Sequence, residues 1–161
     1  MIRSRTSLRR RSWCVVALGA LLACSTGTPY AQVVAQLPAI PPGYGRLLVY
    51  LPTSSEAPAF HPDIAIDGKE VGKIATGTFF HVELPVGMHQ VGIFADEHLA
   101  GFGNQGATDP VTIEVLSGTT SYVQVGVLVT VGMVKVVLMP EPAADAQRDL
   151  SDLYLTVPVP Q

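Results

Sequence analysis

Four histidines, thirteen carboxylates and two cysteines are the residues through which this 161-residue chain could do chemistry. The histidines are His61, His81, His89 and His98. A metal site would need His81 and His89 on one face of a hairpin. If Phe80, Val82 and Leu84 share the core face with Val91 and Ile93, Phe80 pairs with Val91 and Val82 with His89, and His81 turns to the opposite face by the two-residue period of a strand. Asp96, Glu97, Asn104 and Asp109 bring oxygen ligands to one loop, but not at the alternate spacing around a glycine turn that a calcium loop uses. Gly-x-Ser-x-Gly and the phosphate-binding Gly-x-x-x-x-Gly-Lys-Ser/Thr are both absent. Gly101-Phe-Gly-Asn-Gln-Gly106 fits Gly-x-Gly-x-x-Gly, but it lies between strands with no following helix to aim at a phosphate. Asp67 belongs to a turn, and Glu83 and Glu114 fall on outward strand positions, so no acid/base pair stands out. These residues predict no catalytic, metal or cofactor site, and the chain reads as non-enzymatic.

Three aromatics are a better functional lead. Tyr50 and Phe79 alternate away from the assigned core residues, and Phe102 sits in the glycine-rich loop. Together they are candidates for a sugar-binding or protein-binding platform. The alternative is that they line the inner face of a second sheet or pack beneath the loop.

The surroundings of Cys24 carry the most specific signal. Residues 1–12 are basic and polar, and Trp13 to Ala23 form an eleven-residue apolar run. A membrane-spanning helix needs about 20 apolar residues; eleven suit the core of a signal peptide. The run ends in Leu21-Leu22-Ala23-Cys24, which resembles the bacterial lipobox. There the small residue fits a peptidase and the thiol accepts a diacylglycerol, whose chains anchor by about 0.8 kcal/mol per buried CH₂. An ordinary secretory cut after Pro29-Tyr30-Ala31 is the alternative, and Arg10-Arg11-Ser12-Trp13 leaves the twin-arginine route open beside the general one. Ser25 after the cysteine, with no Asp there, resembles sorting to the outer membrane. Cys14 would leave with the signal peptide and Cys24 would carry lipid, so no disulfide or free thiol is expected in the mature domain.

Charge agrees with an exported, acidic domain. All thirteen acidic residues follow Cys24, whereas five of the ten basic ones precede Ser12, so the remainder carries five basic residues against thirteen acidic, a balance of −8. Nucleic acid is excluded as a partner, because phosphate recognition needs clustered Lys and Arg. Attachment to an anionic membrane would have to come from lipid.

The elements that must position any site read as strands. Arg46–Leu51, Asp63–Asp67, Val71–Ile74, Phe79–Leu84, Met88–Phe94, Val111–Val115, Tyr122–Val127 and Val129–Leu138 are short, β-branched or alternating, and separated by turn residues. Asp67-Gly68 predicts a type I′ hairpin, Pro85-Val86-Gly87 a second hairpin, Ser117-Gly118 another turn, and Gly132 a turn or bulge. Seven or eight such strands predict an all-β sandwich, with a short helix in Ala143–Leu153 after Pro142.

Arg46-Leu-Leu-Val-Tyr-Leu-Pro52, Ile66-Asp-Gly-Lys-Glu-Val-Gly72, Gly77-Thr-Phe-Phe80, Leu84-Pro-Val-Gly-Met-His89 and Gly118-Thr-Thr-Ser-Tyr-Val123, in that order and spacing, resemble the bacterial family called domain of unknown function 2846 over residues 45–150. The chain departs from that pattern at Val86, which splits a Pro-Gly pair, and at Thr119, where Lys is usual. The resemblance implies a lipoprotein-borne sandwich, immunoglobulin-like or transthyretin-like, and carries no established activity to transfer.

The sequence therefore divides into a signal peptide (1–23), a lipidated Cys24 with a Pro-rich tether (24–45), a β-sandwich (46–153) and a mobile tail (154–161). The expected role is that of a non-enzymatic lipoprotein of the cell envelope, on the outer membrane facing the periplasm. It would meet the membrane through its lipid and bind an envelope protein or support an envelope structure. A saccharide or cell-wall glycan module is the alternative.

Overall fold

The computed structural model describes residues 27–53, 61–94, 109–130 and 133–156. Two sheets pack face to face. The first has five strands in the order β8-β7-β1-β4-β9 and the second has four in the order β3-β2-β5-β6. In chain order they are β1 (Tyr44–Leu51), β2 (Asp63–Ile66), β3 (Lys69–Lys73), β4 (Thr78–Pro85), β5 (Gly87–Phe94), β6 (Val111–Val115), β7 (Thr120–Thr130), β8 (Met133–Glu141) and β9 (Tyr154–Leu155), with helices α1 (Tyr30–Gln36) and α2 (Ala143–Leu150). The predicted all-β sandwich with a short C-terminal helix is what the chain forms. Its ninth strand comes from the segment expected to be a tail.

β1 explains the layering. It is the middle strand of the larger sheet, antiparallel to β4 (Leu47 opposite Val82) and parallel to β7 (Leu47 opposite Ser121). A strand flanked on both sides and covered on both faces reads as a continuous apolar run, and Leu47–Leu51 are all at most 2% exposed. Leu47, Val49 and Leu51 enter the inter-sheet core with Ile64, Ile74, Phe80, Val91, Val123 and Val136. Leu48 and Tyr50 point the other way, into a second core with Val33, Phe79, Tyr122, Ala146, Leu150 and Leu153. The outer face of the larger sheet is thus roofed by α1, α2 and the chain after α2.

This second core revises three expectations. Part of the proposed tether is structured: α1 buries Val33, and the first strand begins at Tyr44. The predicted tail begins with β9, parallel to β4 with Tyr154 opposite Thr78, so residues 154 and 155 belong to the sheet and not to a tail, and residues 157–161 of the expected tail lie outside the described residues. Tyr50 and Phe79 are both 0% exposed and form no surface platform. They do alternate away from the inter-sheet core, as the period of two required, but helices cover that face.

The Asp67-Gly68 hairpin is present, with φ of 52° and 79° at the two turn residues, the positive pair that a type I′ turn needs. The second predicted hairpin is not. β4 pairs with β1 and β9, whereas β5 pairs with β2 and β6, so Pro85-Val86-Gly87 carries the chain from one sheet to the other. Sequence alternation is satisfied equally by either partner, and a Pro-x-Gly turn serves a crossover as well as a hairpin. The Ser117-Gly118 turn likewise passes from β6 in one sheet to β7 in the other. The Gly132 turn falls at residues outside the described set, between β7 and β8, which pair from Thr130–Met133 to Tyr122–Glu141.

Candidate functional site

Three chain passages meet at one end of the sandwich: the start of β1, the β4–β5 crossover and the β6–β7 crossover. Backbone bonds lock them together. Val86 N–H donates to the Gly43 carbonyl (3.0 Å), Gly118 N–H to Tyr44 (2.9 Å) and Arg46 N–H to Thr119 (2.9 Å). Gly43 (φ 81°) and Gly118 (φ 71°) supply the left-handed backbone at two of the corners. Gly45 lets the strands close, since a Cβ there would lie 2.5 Å from the Leu116 carbonyl oxygen.

On this rigid frame the turn residues are apolar and exposed: Tyr44 at 40%, Val86 at 48%, Leu116 at 50% and Met88 at 66%. Four large apolar residues thus stand exposed on three adjoining turns, Met88 and Leu116 on the outer side of the smaller sheet and Tyr44 on that of the larger, and exposed apolar surface at one end of a domain is a feature that marks interaction sites. None was singled out from the sequence. The signal was available, since each sits in or beside turn chemistry (Gly43-Tyr44-Gly45, Pro85-Val86-Gly87-Met88, Leu116-Ser117-Gly118) where a polar residue is usual.

His89 lies beside this end. It pairs with Ile113 across the second sheet, and its side chain is 11% exposed. Nδ1 approaches Asp67 Oδ2 at 2.7 Å and Nε2 the Pro85 carbonyl at 2.8 Å. Asp67 Oδ1 in turn accepts the Gln90 N–H at 3.0 Å. The bond to Asp67 raises the His89 pKa most, with help from Pro85 and against partial desolvation. The Gln90 N–H, then His89, hold the Asp67 carboxyl below its ordinary value.

A second polar group lies on the outer face of the larger sheet. Arg46 Nη2 donates to Glu83 Oε1 at 2.6 Å and to the Pro38 carbonyl at 2.9 Å. His81, opposite Leu48 on the same strand pair, has its pKa pushed down by burial and by Arg46, against an opposing pull from Glu83. Among the described residues, no serine or threonine hydrogen-bonds to either histidine. The histidines His81 and His89 belong to different sheets and do not converge. Among the described residues, no three His, Cys, Asp or Glu side chains gather as metal ligands. His98, Phe102, Asp96, Glu97, Asn104 and the Gly101–Gly106 motif lie outside the described residues, as do Cys24 and the signal segment.

An open groove of about 350 Å³ runs between β6 and β7–β8, lined by Thr112, Glu114, Thr120, Ser121, Tyr122 and Glu141. Its two carboxylates revive the paired-acid question. Glu114 is exposed and Glu141 half-buried, so neither is enclosed in an apolar pocket. None of the buried polar atoms lacking a hydrogen-bond partner lines the groove.

The aromatics instead stabilise the roof. Tyr30 meets Phe79 edge-to-face, centroids 5.4 Å apart and planes at 80°. Burial, then Tyr122, push the Tyr30 pKa up to about 12. Burial and the carboxylates of Asp149, Glu141 and Asp145 raise that of Tyr50. Among the described residues, no helix is long and apolar enough to cross a membrane. Comparison with protein-family models, curated proteins and solved structures finds no match to this chain.

Proposed function

We propose that this chain is a lipid-anchored protein of the cell envelope, on the outer membrane facing the periplasm, whose sandwich docks a protein partner through its exposed apolar end and catalyses no reaction. The observation that carries this reading is the exposure of Tyr44, Val86, Met88 and Leu116 on the three hydrogen-bonded turns at one end of the sandwich. Partner docking is its natural use, because burying a large apolar side chain on association contributes about 1.5–3 kcal/mol. The anchor rests on Leu21-Leu22-Ala23-Cys24, and kinship with the domain of unknown function 2846 family on the order of the turn motifs.

The alternative of a saccharide or cell-wall glycan module would have to use the β6–β7–β8 groove, with its hydroxyls and carboxylates. Among the described residues, no exposed ring lines it: Tyr50 and Phe79 are buried, and Tyr122 is only 8% exposed.

Two measurements test the proposal. Palmitate labelling should mark the chain and vanish in Cys24→Ser; persistent label in the variant ends the anchor reading. A photo-crosslinker at Leu116 in intact cells should give discrete adducts that Val86→Glu removes. Adducts only with a second copy of this chain, or none, would refute a separate protein partner. Adducts only with cell-wall glycan would favour the alternative.

A further inference from the structure

Two hydrogen bonds to one imidazole fix its protonation. The Asp67 carboxylate and the Pro85 carbonyl can only accept, yet they lie 2.7 Å and 2.8 Å from the two ring nitrogens of His89. Both nitrogens must therefore carry hydrogen, and the ring in this geometry is the imidazolium. A neutral imidazole has one N–H. The carboxylate keeps it, because a charge-assisted bond is the stronger of the two. Nε2 and the Pro85 oxygen would then face each other lone pair to lone pair. The contact that fails on deprotonation is thus the one to Pro85, immediately before Val86.

We propose that His89 is a protonation-dependent clasp on the apolar end: charged, it ties the Pro85 carbonyl to the Asp67 turn beside Val86 and Met88, and neutral, it gives up that bond and leaves the crossover held only by its backbone bond to Gly43 and its pairing with β1. What the clasp regulates rests on the docking role assigned to that end; the clasp itself does not. The charged groups around it are few. The β2–β3 turn presents Asp67, with Lys69 of β3 acting on that carboxylate. β4 presents the Pro85 carbonyl, and its charged Glu83 is turned to the outer face against Arg46. β6 presents Ile113 and Val115, both buried, while Glu114 is exposed between them.

The pH window follows from the two directions. A His whose folded pKa is raised contributes stability that is complete below its unfolded value, near 6.5, and is lost as pH rises through the folded value. A carboxyl whose folded pKa is lowered contributes stability that is lost as pH falls through its folded value. The clasp is closed between the lowered Asp67 value and the raised His89 value.

The test uses the full-length chain in detergent micelles, with methyl-labelled methionine read by NMR. The His89 ring and the Met88 methyl should titrate together with a midpoint above 6.5. Asp67→Asn keeps a residue that tolerates positive φ and should lower that midpoint. His89→Gln should leave Met88 unresponsive between about pH 5 and 8, where an imidazole titrates, while the Met139 methyl on β8 reports that the fold persists. A His89 midpoint at or below 6.5, or a Met88 signal that ignores the His89 titration, overturns the clasp. Neither readout needs a partner, so missing crosslinks count against the docking role alone and a static Met88 against the clasp alone.

Discussion

Replacing Glu83 by Gln should cost this protein more than most surface-charge changes, and the structure says roughly how much. The Arg46 side chain is 8% exposed and Glu83 28%, at 2.6 Å. Removing one partner of a fully buried pair costs about 3–5 kcal/mol, because the other charge is left uncompensated. Glu83 is partly solvated, and Gln preserves an acceptor for Nη2, so the loss should be about 2 kcal/mol. That corresponds to a fall in Tm of about 4–8 °C for a domain of this size. Arg46→Met should cost less, near 1 kcal/mol, since Glu83 can turn to water in place of its lost partner and the bond to the Pro38 carbonyl is the one forfeited without replacement. The double variant should lose less than the two single changes added together, because in it no buried charge is left without its partner. Urea denaturation followed by far-UV circular dichroism measures all four corners of the cycle, and the deficit should persist in high salt, which screens buried pairs poorly. Strict additivity of the two single changes, or Glu83→Gln within about 0.5 kcal/mol of the parent, would show that this pair does not act as a desolvated unit.

Two further outcomes are expected from the same assay. Gly45→Ala should destabilise by about 1–3 kcal/mol, because its Cβ would meet the Leu116 oxygen at 2.5 Å and Val115 Cγ1 at 2.6 Å, whereas Gly92→Ala, whose nearest neighbour is Pro110 Cβ at 3.6 Å, should be tolerated; equal melting temperatures would refute the steric reading. His81, with its pKa pushed down by burial, should contribute nothing to the pH dependence above its unfolded value near 6.5 and should destabilise progressively as pH falls below it. His81→Leu should flatten that acid limb, and a limb of unchanged slope would show that His81 is not kept neutral.

The strands were legible because each carries its own period and its own punctuation. Asp67-Gly68 marks its hairpin from two residues, since so few pairs accept positive φ twice. Pairing partners were not legible. Leu84-Pro-Val-Gly-Met88 looks the same whether the next strand returns alongside or crosses to the other sheet, because both solutions bury Phe80 and Val91. The choice is made by long-range contacts such as Arg46 opposite Glu83. Tyr50 and Phe79 show the same limit. Period-two reasoning correctly set them apart from Val49 and Phe80, but an outer strand face becomes a surface only if nothing covers it. Here Val33 and Leu150, distant in sequence, do so. The apolar end is hidden for the opposite reason: Tyr44 reads as part of the tether, Val86 as part of a turn and Met88 as part of a strand, and only their exposure distinguishes them.

The second core also sets where the apolar end stands relative to the proposed anchor. Gly27 and Thr28 are held against the last strand, with Leu155 N–H bonded to the Thr28 carbonyl at 2.8 Å and Tyr30 N–H to Leu153 at 3.0 Å. Tyr154 pairs with Thr78 at the start of β4, and β4 ends at Pro85, opposite Tyr44. At about 3.3 Å per residue, those seven steps set the apolar end roughly 23 Å beyond the point where the chain reaches the sheet. Three residue steps lead from Cys24 to Gly27, a reach of at most about 10 Å. A free tether through residue 45 would let the sandwich turn in any direction. With α1 packed beneath Phe79 instead, lipid at Cys24 would hold the Thr78 end toward the bilayer and aim Tyr44, Val86, Met88 and Leu116 away from it. Under the proposed anchor, a partner would meet this end on the side away from the bilayer, which suits a partner beyond the membrane surface better than one lying flat on it.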